Sequence, residues 1–136
     1  MTVFVLDSSA LLRFIDNEPG GQRVETILID GIAGRIQVAI SAVQWGEVAG
    51  NVRKRFGTVR ELQVLTSHMT CEVEVIPATA DRAVRAAELK VDRKISYADA
   101  FALELAIQSP EHTLVTADYG FKAVADLARI EFLPSK

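Results

Sequence analysis

The chain has 136 residues, 49% of them hydrophobic, with a mean hydropathy of +0.19 and a formal net charge of −3. This is the size of one domain, with enough apolar material for a core that needs no staples, and the single cysteine, Cys71, excludes an internal disulfide. A sequence pI near 5.4 excludes a protein that holds nucleic acid by a broad basic surface, but leaves room for a local basic patch or for metal ions that draw phosphate to an acidic site.

Residues 2–6, Thr2-Val3-Phe4-Val5-Leu6, form a short apolar run that reads as a buried strand ending at Asp7. The run is too short for a signal peptide and lacks a basic flank, and no stretch approaches the roughly 20 apolar residues that span a bilayer. A soluble, cytoplasmic protein is the expectation. A helix is predicted over 8–14, then a turn at Asn17-Glu18-Pro19-Gly20-Gly21, then a helix over 23–30 with Val24, Ile27 and Leu28 on one face, closed by Gly31 and Gly34. Residues 36–40 form the second predicted strand. Ser41 caps a helix to about residue 56, with Trp45, Val48, Ala49, Val52 and Phe56 as its apolar stripe and Gly57 as its stop. Thr58 is expected to cap the next helix, which carries Leu62, Leu65 and Met69 on one side.

Residues 72–76 alternate like a strand and end at Pro77, and 79–93 is an amphipathic helix with Ala83, Ala87 and Leu89 inward. Ser96 opens a strongly apolar helix to about 108, broken by Ser109-Pro110. A strand over 113–116, a short helix over 119–127 and a last strand over 129–133 complete the chain. Strands alternating with helices predict parallel pairing through right-handed crossovers, hence a single α/β domain over 1–136.

Open α/β sheets carry their sites beyond the carboxyl ends of the strands. Asp7 follows the first strand directly, and Asp118 follows the 113–116 strand by two residues. Helix capping accounts for either residue equally well, because Asp is a favoured N-cap. Asp99 is more informative. It completes a capping-box pattern with Ser96, yet it shares a helical face with Ala102, Leu103 and Ala106. A carboxylate at the mouth of an apolar face must protonate, or find a donor or cation. Glu47 lies off the main stripe of its helix, between Gly46 and Gly50, where small residues would let a backbone or ligand approach.

If these four acids converge, each ionised pair at about 5 Å repels by roughly 3 kcal/mol at an effective dielectric of ~20. Such a group needs shared protons or divalent cations, and oxygen ligands favour Mg²⁺ or Mn²⁺. Zinc would need His or Cys, but His68, Cys71 and His112 are poorly placed for it.

Four segments occur in order: Val5-Leu6-Asp7-Ser8-Ser9-Ala10-Leu11-Leu12; Ile40-Ser41 with Glu47 six residues on; Ser96-Tyr97-Ala98-Asp99-Ala100 leading to Ala106; and Thr116-Ala117-Asp118-Tyr119-Gly120-Phe121. Together they resemble the PIN domain over nearly the whole chain, specifically the VapC toxins of toxin–antitoxin pairs. The resemblance implies a three-layer sandwich, a parallel sheet flanked by helices, with a Mg²⁺- or Mn²⁺-dependent endoribonuclease site. Asp7 and Asp99 would be the principal metal ligands, and Asp118 and Glu47 would complete the catalytic pocket. Thr116 and Ser9 match positions where the family has a hydroxyl that orients a ligand. Ala117 departs from the polar or basic residue of many relatives, which bears on substrate contact. The resemblance also implies RNA as substrate, a VapB-like antitoxin as partner, and a homodimer.

Some surfaces stay open to two readings. Arg53-Lys54-Arg55 and Arg60 would line an RNA path, or form a solvated helix end. Leu11, Leu12, Phe14, Ile15, Trp45 and Phe56 would meet a partner, or belong to the core. A haloacid-dehalogenase-type site needs a second Asp two residues after the first, and Ser9 stands there. The alternative from another class is a PIN-like module that binds RNA or protein without cutting.

Overall fold

The computed structural model describes the backbone of residues 1–136 and every side chain except those of residues 68 and 69, so the reading of Met69 as apolar-side and of His68 as a non-ligand lies outside the described residues. Five strands, β1 (Val3–Leu6), β2 (Gln37–Ser41), β3 (Val73–Ile76), β4 (His112–Thr116) and β5 (Arg129–Phe132), build one sheet in the order β3-β2-β1-β4-β5. All four pairings are parallel, with Leu6 opposite Ile40 on one side and Val115 on the other. Six helices connect them: α1 (Ser8–Ile15), α2 (Gly21–Ile32), α3 (Ala42–Phe56), α4 (Thr58–Thr70), α5 (Ala80–Arg93) and α6 (Tyr97–Ala106). A 3₁₀ turn, Tyr119–Val124, links β4 to β5.

A parallel sheet covered on both faces carries continuous apolar strands, and successive side chains point to opposite layers. Leu6 and Ile40 join one core with Leu11, Val24, Ile27, Val48, Val52 and Val64 from α1 to α4. Val5 and Leu114 join the other with Leu103 of α6 and with Phe121 and Val124 of the 3₁₀ turn. The architecture is the expected three-layer α/β sandwich. Among the described residues, no helix is long and apolar enough to cross a membrane.

Several local expectations need correction. Thr58 does not cap α4: Gly57 holds the N-cap place at φ 90°, with no side-chain cap hydrogen bond. That left-handed glycine reduces the α3–α4 junction to one residue, which draws Thr58 into the helix. Among the described residues of α4, Val64 is the buried one, while Leu62 is exposed. Phe56 is 55% exposed at the end of α3, whereas Val48 and Val52 of the expected stripe are buried, Trp45 packs against the same core, and Gln44 joins them. Gly31 lies inside α2 rather than closing it. A Cβ there would stand 2.9 Å from Val38 Cγ2, so the glycine lets α2 lie close on β2. On α5 the residue that is fully buried is Ala86, with Ala83 and Leu89 partly covered beside it.

Candidate active site

The strand order reverses between β1 and β4, and the crevice beyond their carboxyl ends is where an open α/β sheet places its site. Asp7 stands at the end of β1 and is 2% exposed. Its Oδ1 accepts from Ala10 N at 2.9 Å, which caps α1, and from Ser9 Oγ at 2.7 Å. Its Oδ2 accepts from Thr116 Oγ1 at 2.6 Å. Asp7 is therefore both the cap and an acid of the crevice, and the two readings of the sequence do not compete. Burial is the largest influence on its carboxyl and raises it to about 6. The hydroxyls of Thr116 and Ser9 and the Ala10 amide oppose that rise, and the charge of Asp99 adds to it.

The hydroxyls form a short network. Thr116 Oγ1 also accepts from Asp118 N at 2.9 Å, and Ser9 Oγ accepts from Ala117 N at 2.9 Å. Ser9 and Thr116 thus tie the loop after β4 to the start of α1. Asp118 is exposed and caps the 3₁₀ turn, its Oδ1 accepting from Gly120 N at 2.8 Å.

Asp99 sits in the first turn of α6, half-buried, with its amide donating to Ser96 Oγ at 3.1 Å. Burial raises its carboxyl, the Ser96 side chain opposes this, and the charge of Asp118 raises it further. Glu47 is exposed on α3, and its Oε1 accepts from Ser8 Oγ at 3.2 Å. Burial of part of its side chain raises it, Ser8 opposes, and Asp99 again adds to the rise. Asp99 is thus the common electrostatic neighbour of the other three acids. A Cβ at Gly46 or Gly50 would meet nothing within 4 Å, so those glycines do not serve a close approach within the chain.

The donor set fits a divalent cation by its chemistry. It offers carboxylate oxygens only, three of them raised, and no basic side chain acts on Asp7, Glu47 or Asp99. Of the histidine and cysteine side chains that are described, His112 Nδ1 lies 2.8 Å from Leu105 O, and Cys71 packs against the α1–α4 core. Among the described residues, no three His, Cys, Asp or Glu side chains converge closely enough to grip an ion together. The acids surround the crevice as an open rim.

Two features escaped the sequence reading. Gln44 is fully buried behind the rim, its Oε1 accepting from Ser8 N at 2.7 Å and its Nε2 donating to Ala98 O at 2.6 Å. The signal was there: a polar residue at i−4 and i−8 from Val48 and Val52, on the buried stripe of α3. The second is a groove of about 470 Å³ that starts at Ser9, Ala117 and Asp118 and runs past Arg13 and Arg55 to Lys136. Arg55 is held there by Asn51 at 2.6 Å and Asp16 at 2.6 Å, with its guanidinium 4.9 Å from the centre of the Phe56 ring.

The sequence pattern of the PIN domain matches residues 4–127. No curated protein matches the chain by sequence. Among solved structures, VapBC2 from Rickettsia felis, bound to a DNA fragment from its promoter, shares 20% identity at a TM-score of 0.73, covering 98% of this chain and 100% of that one. VapC20 of Mycobacterium tuberculosis, described as a toxin that cleaves the sarcin-ricin loop, shares 19% identity at a TM-score of 0.74 with the same coverage. A toxin–antitoxin complex from Klebsiella pneumoniae shares 23% identity at a TM-score of 0.67 and covers both chains fully. These likenesses establish a common fold.

Proposed function

This chain belongs to the PIN domain family, and from that premise we propose that it is a Mg²⁺- or Mn²⁺-dependent endoribonuclease acting as the toxin of a toxin–antitoxin pair. The observation that carries the reading is the set of acids at the β1–β4 switch point, where burial raises Asp7, Glu47 and Asp99, and a neighbouring acid adds to each rise: Asp99 for Asp7 and Glu47, Asp118 for Asp99. Mutually repelling carboxylates without a basic partner are a site in search of a cation. Asp7, Asp99 and Asp118 would hold the ion, directly or through water, since their side chains do not converge on one point by themselves. When bound, it would supply activation of water for in-line attack on a phosphodiester and stabilise charge on the phosphoryl and leaving oxygens.

The protein's own groups then have distinct tasks. Thr116 and Ser9 orient the Asp7 carboxylate by donating to both of its oxygens. Glu47 reaches solvent with a raised carboxyl and is the acid suited to exchange a proton with water in the crevice. The groove leaving Ser9 and Asp118 gives the RNA backbone a path along Arg55, whose guanidinium is already held in place. A net-negative chain can follow this chemistry because bound divalent ions invert the sign of the local field.

The Rickettsia felis and Klebsiella pneumoniae relatives are toxin–antitoxin assemblies, which supports a VapB-like antitoxin as the partner here. Homodimerisation belongs to the same proposal. Phe56, Val59 and Leu62, exposed together at the α3–α4 junction, suit a protein contact. Leu11 is buried, while Leu12, Phe14, Ile15 and Trp45 pack against the core, which leaves Phe56 as the one of that group with most of its surface to offer.

A second reading, an RNA-binding module that does not cut, draws on the open spacing of the acids. The two separate in one experiment: purified, partner-free protein incubated with structured RNA, with Mn²⁺ or with EDTA. The expected result is cleavage that needs the metal and is abolished by Asp7→Asn or Asp99→Asn in protein that remains folded. Cleavage indifferent to both substitutions refutes the site, and RNA binding without cleavage favours the module.

A further inference from the structure

Gln44 occupies a position that no acid of the rim shares. A buried primary amide must find an acceptor for its NH₂ and a donor for its oxygen, and its two ends are chemically distinct. Ser8 N–H faces one end and Ala98 C=O the other, so only one orientation of the amide satisfies both. The two contacted residues are adjacent in sequence to the two most buried acids of the rim, since Ser8 follows Asp7 and Ala98 precedes Asp99. One planar group therefore ties the β1–α1 junction to the first turn of α6.

Nothing else described bridges these two segments by a side chain. The Ser8 amide is one of the first N–H groups of α1, which have no partner within their own helix. Ala98 C=O lies in the first turn of α6, where helices fray most readily. Ser8 also donates its hydroxyl to Glu47 Oε1, one turn along α3 from Gln44. α3 thus holds Ser8 at two points, through a fully buried amide and through an acid of the rim.

We infer that Gln44 is a positioning residue that sets the separation of Asp7 and Asp99, and so the affinity of the acidic crevice for a divalent cation; this rests on the ribonuclease reading above. Supporting groups that orient metal-binding side chains change metal affinity or activity by roughly 10- to 100-fold when removed. Gln44→Met keeps the length of the side chain and removes both hydrogen bonds. It is expected to weaken Mn²⁺ binding to the metal-free protein, followed by electron paramagnetic resonance of the free ion, by that factor. It should lower kcat for RNA cleavage and leave KM nearly unchanged, because the groove beside Arg55 is untouched.

Gln44→Glu provides an independent arm. In its protonated form that side chain accepts from Ser8 N–H and donates to Ala98 C=O, as glutamine does, whereas the ionised form sets an oxygen against the carbonyl. The ratio of its kcat to that of the unsubstituted protein is expected to rise as pH falls from 8 to 6. A purely structural glutamine would change the unfolding midpoint without moving Mn²⁺ affinity or this pH profile. Unchanged Mn²⁺ affinity and kcat in folded Gln44→Met overturn the inference. If that variant does not fold, a pH-independent ratio for Gln44→Glu overturns it. The unsubstituted protein is measured first: if it neither binds Mn²⁺ nor cleaves RNA, the ribonuclease reading itself fails and takes the positioning role with it.

Discussion

Burial holds the Asp7 carboxyl at about 6 against an ordinary 3.8, so at neutral pH the fold contains an ionised group in a site that favours its protonated form. For an acid raised in this way, the stabilising contribution is complete below the unfolded value and disappears as pH climbs through the folded one; the gap corresponds to about 3 kcal/mol. Asp7→Asn keeps an acceptor for Ser9 Oγ and Ala10 N, while Thr116 Oγ1 can turn to accept from the new amide. The variant should therefore be more stable than the parent by about 1–3 kcal/mol at pH 8 without metal, and nearly equal to it at pH 4, in urea titrations at the two pH values. A difference that does not grow with pH would show that Asp7 is not the strained acid. Asp7 and Asp118 were legible from their places after strands, and Asp99 from the apolar face it interrupts. Gln44 was legible only as a polar residue in line with Val48 and Val52; its role was not, because that depends on two backbone groups brought to it from 36 and 54 residues away in sequence.

Helix α6 was legible as a strongly apolar element, although Glu104 stands within it. The structure shows why the helix tolerates the charge: Glu104 is 0% exposed, and Arg82 and Arg85 of α5 approach its Oε1 to 2.9 and 3.0 Å, with Gln108 Nε2 also at 3.0 Å. No periodicity in either helix announces that pairing, since it joins the polar margin of one to the buried side of the other. Buried pairs are weak evidence for stability, but leaving one charge behind costs about 3–5 kcal/mol. The double change Arg82→Met, Arg85→Met is expected to destabilise by about that much, because it leaves the buried carboxylate without its partners. Glu104→Leu, which fills the space without charge and leaves two arginines with access to water, should cost less. Equal losses in urea titrations would mean that α5 and α6 are held by packing alone. The same dependence on neighbours explains the α3–α4 junction, where apolar spacing put Phe56 on the stripe of α3 and Leu62 on one side of α4. The single left-handed residue Gly57 decides otherwise, by setting how α4 leaves α3.

At the scale of the whole chain, alternation of strands and helices was enough for five parallel strands in three layers, because each strand reads as a run covered on both faces. The order β3-β2-β1-β4-β5 was not readable in that way, since a crossover can return to either edge and the choice is made by long-range packing. That choice creates the site. It places the ends of β1 and β4 side by side and lets α6 bring Asp99 within electrostatic reach of both Asp7 and Asp118, so a bound cation would link three elements far apart in sequence. Binding to the folded state alone stabilises it by about 2.7 kcal/mol when the free ion is at 100 times its Kd. Mn²⁺ should accordingly raise the unfolding temperature of the intact protein by several degrees, with EDTA reversing the rise. NaCl at matched ionic strength should do far less, because it only screens the mutual repulsion of the acids. The increment is expected to vanish in the double variant Asp7→Asn, Asp99→Asn, even though removing buried charge makes that protein more stable at the outset. A rise of the same size in the double variant would place the ion outside the β1–β4 crevice and separate metal binding from the acids that the fold brings together.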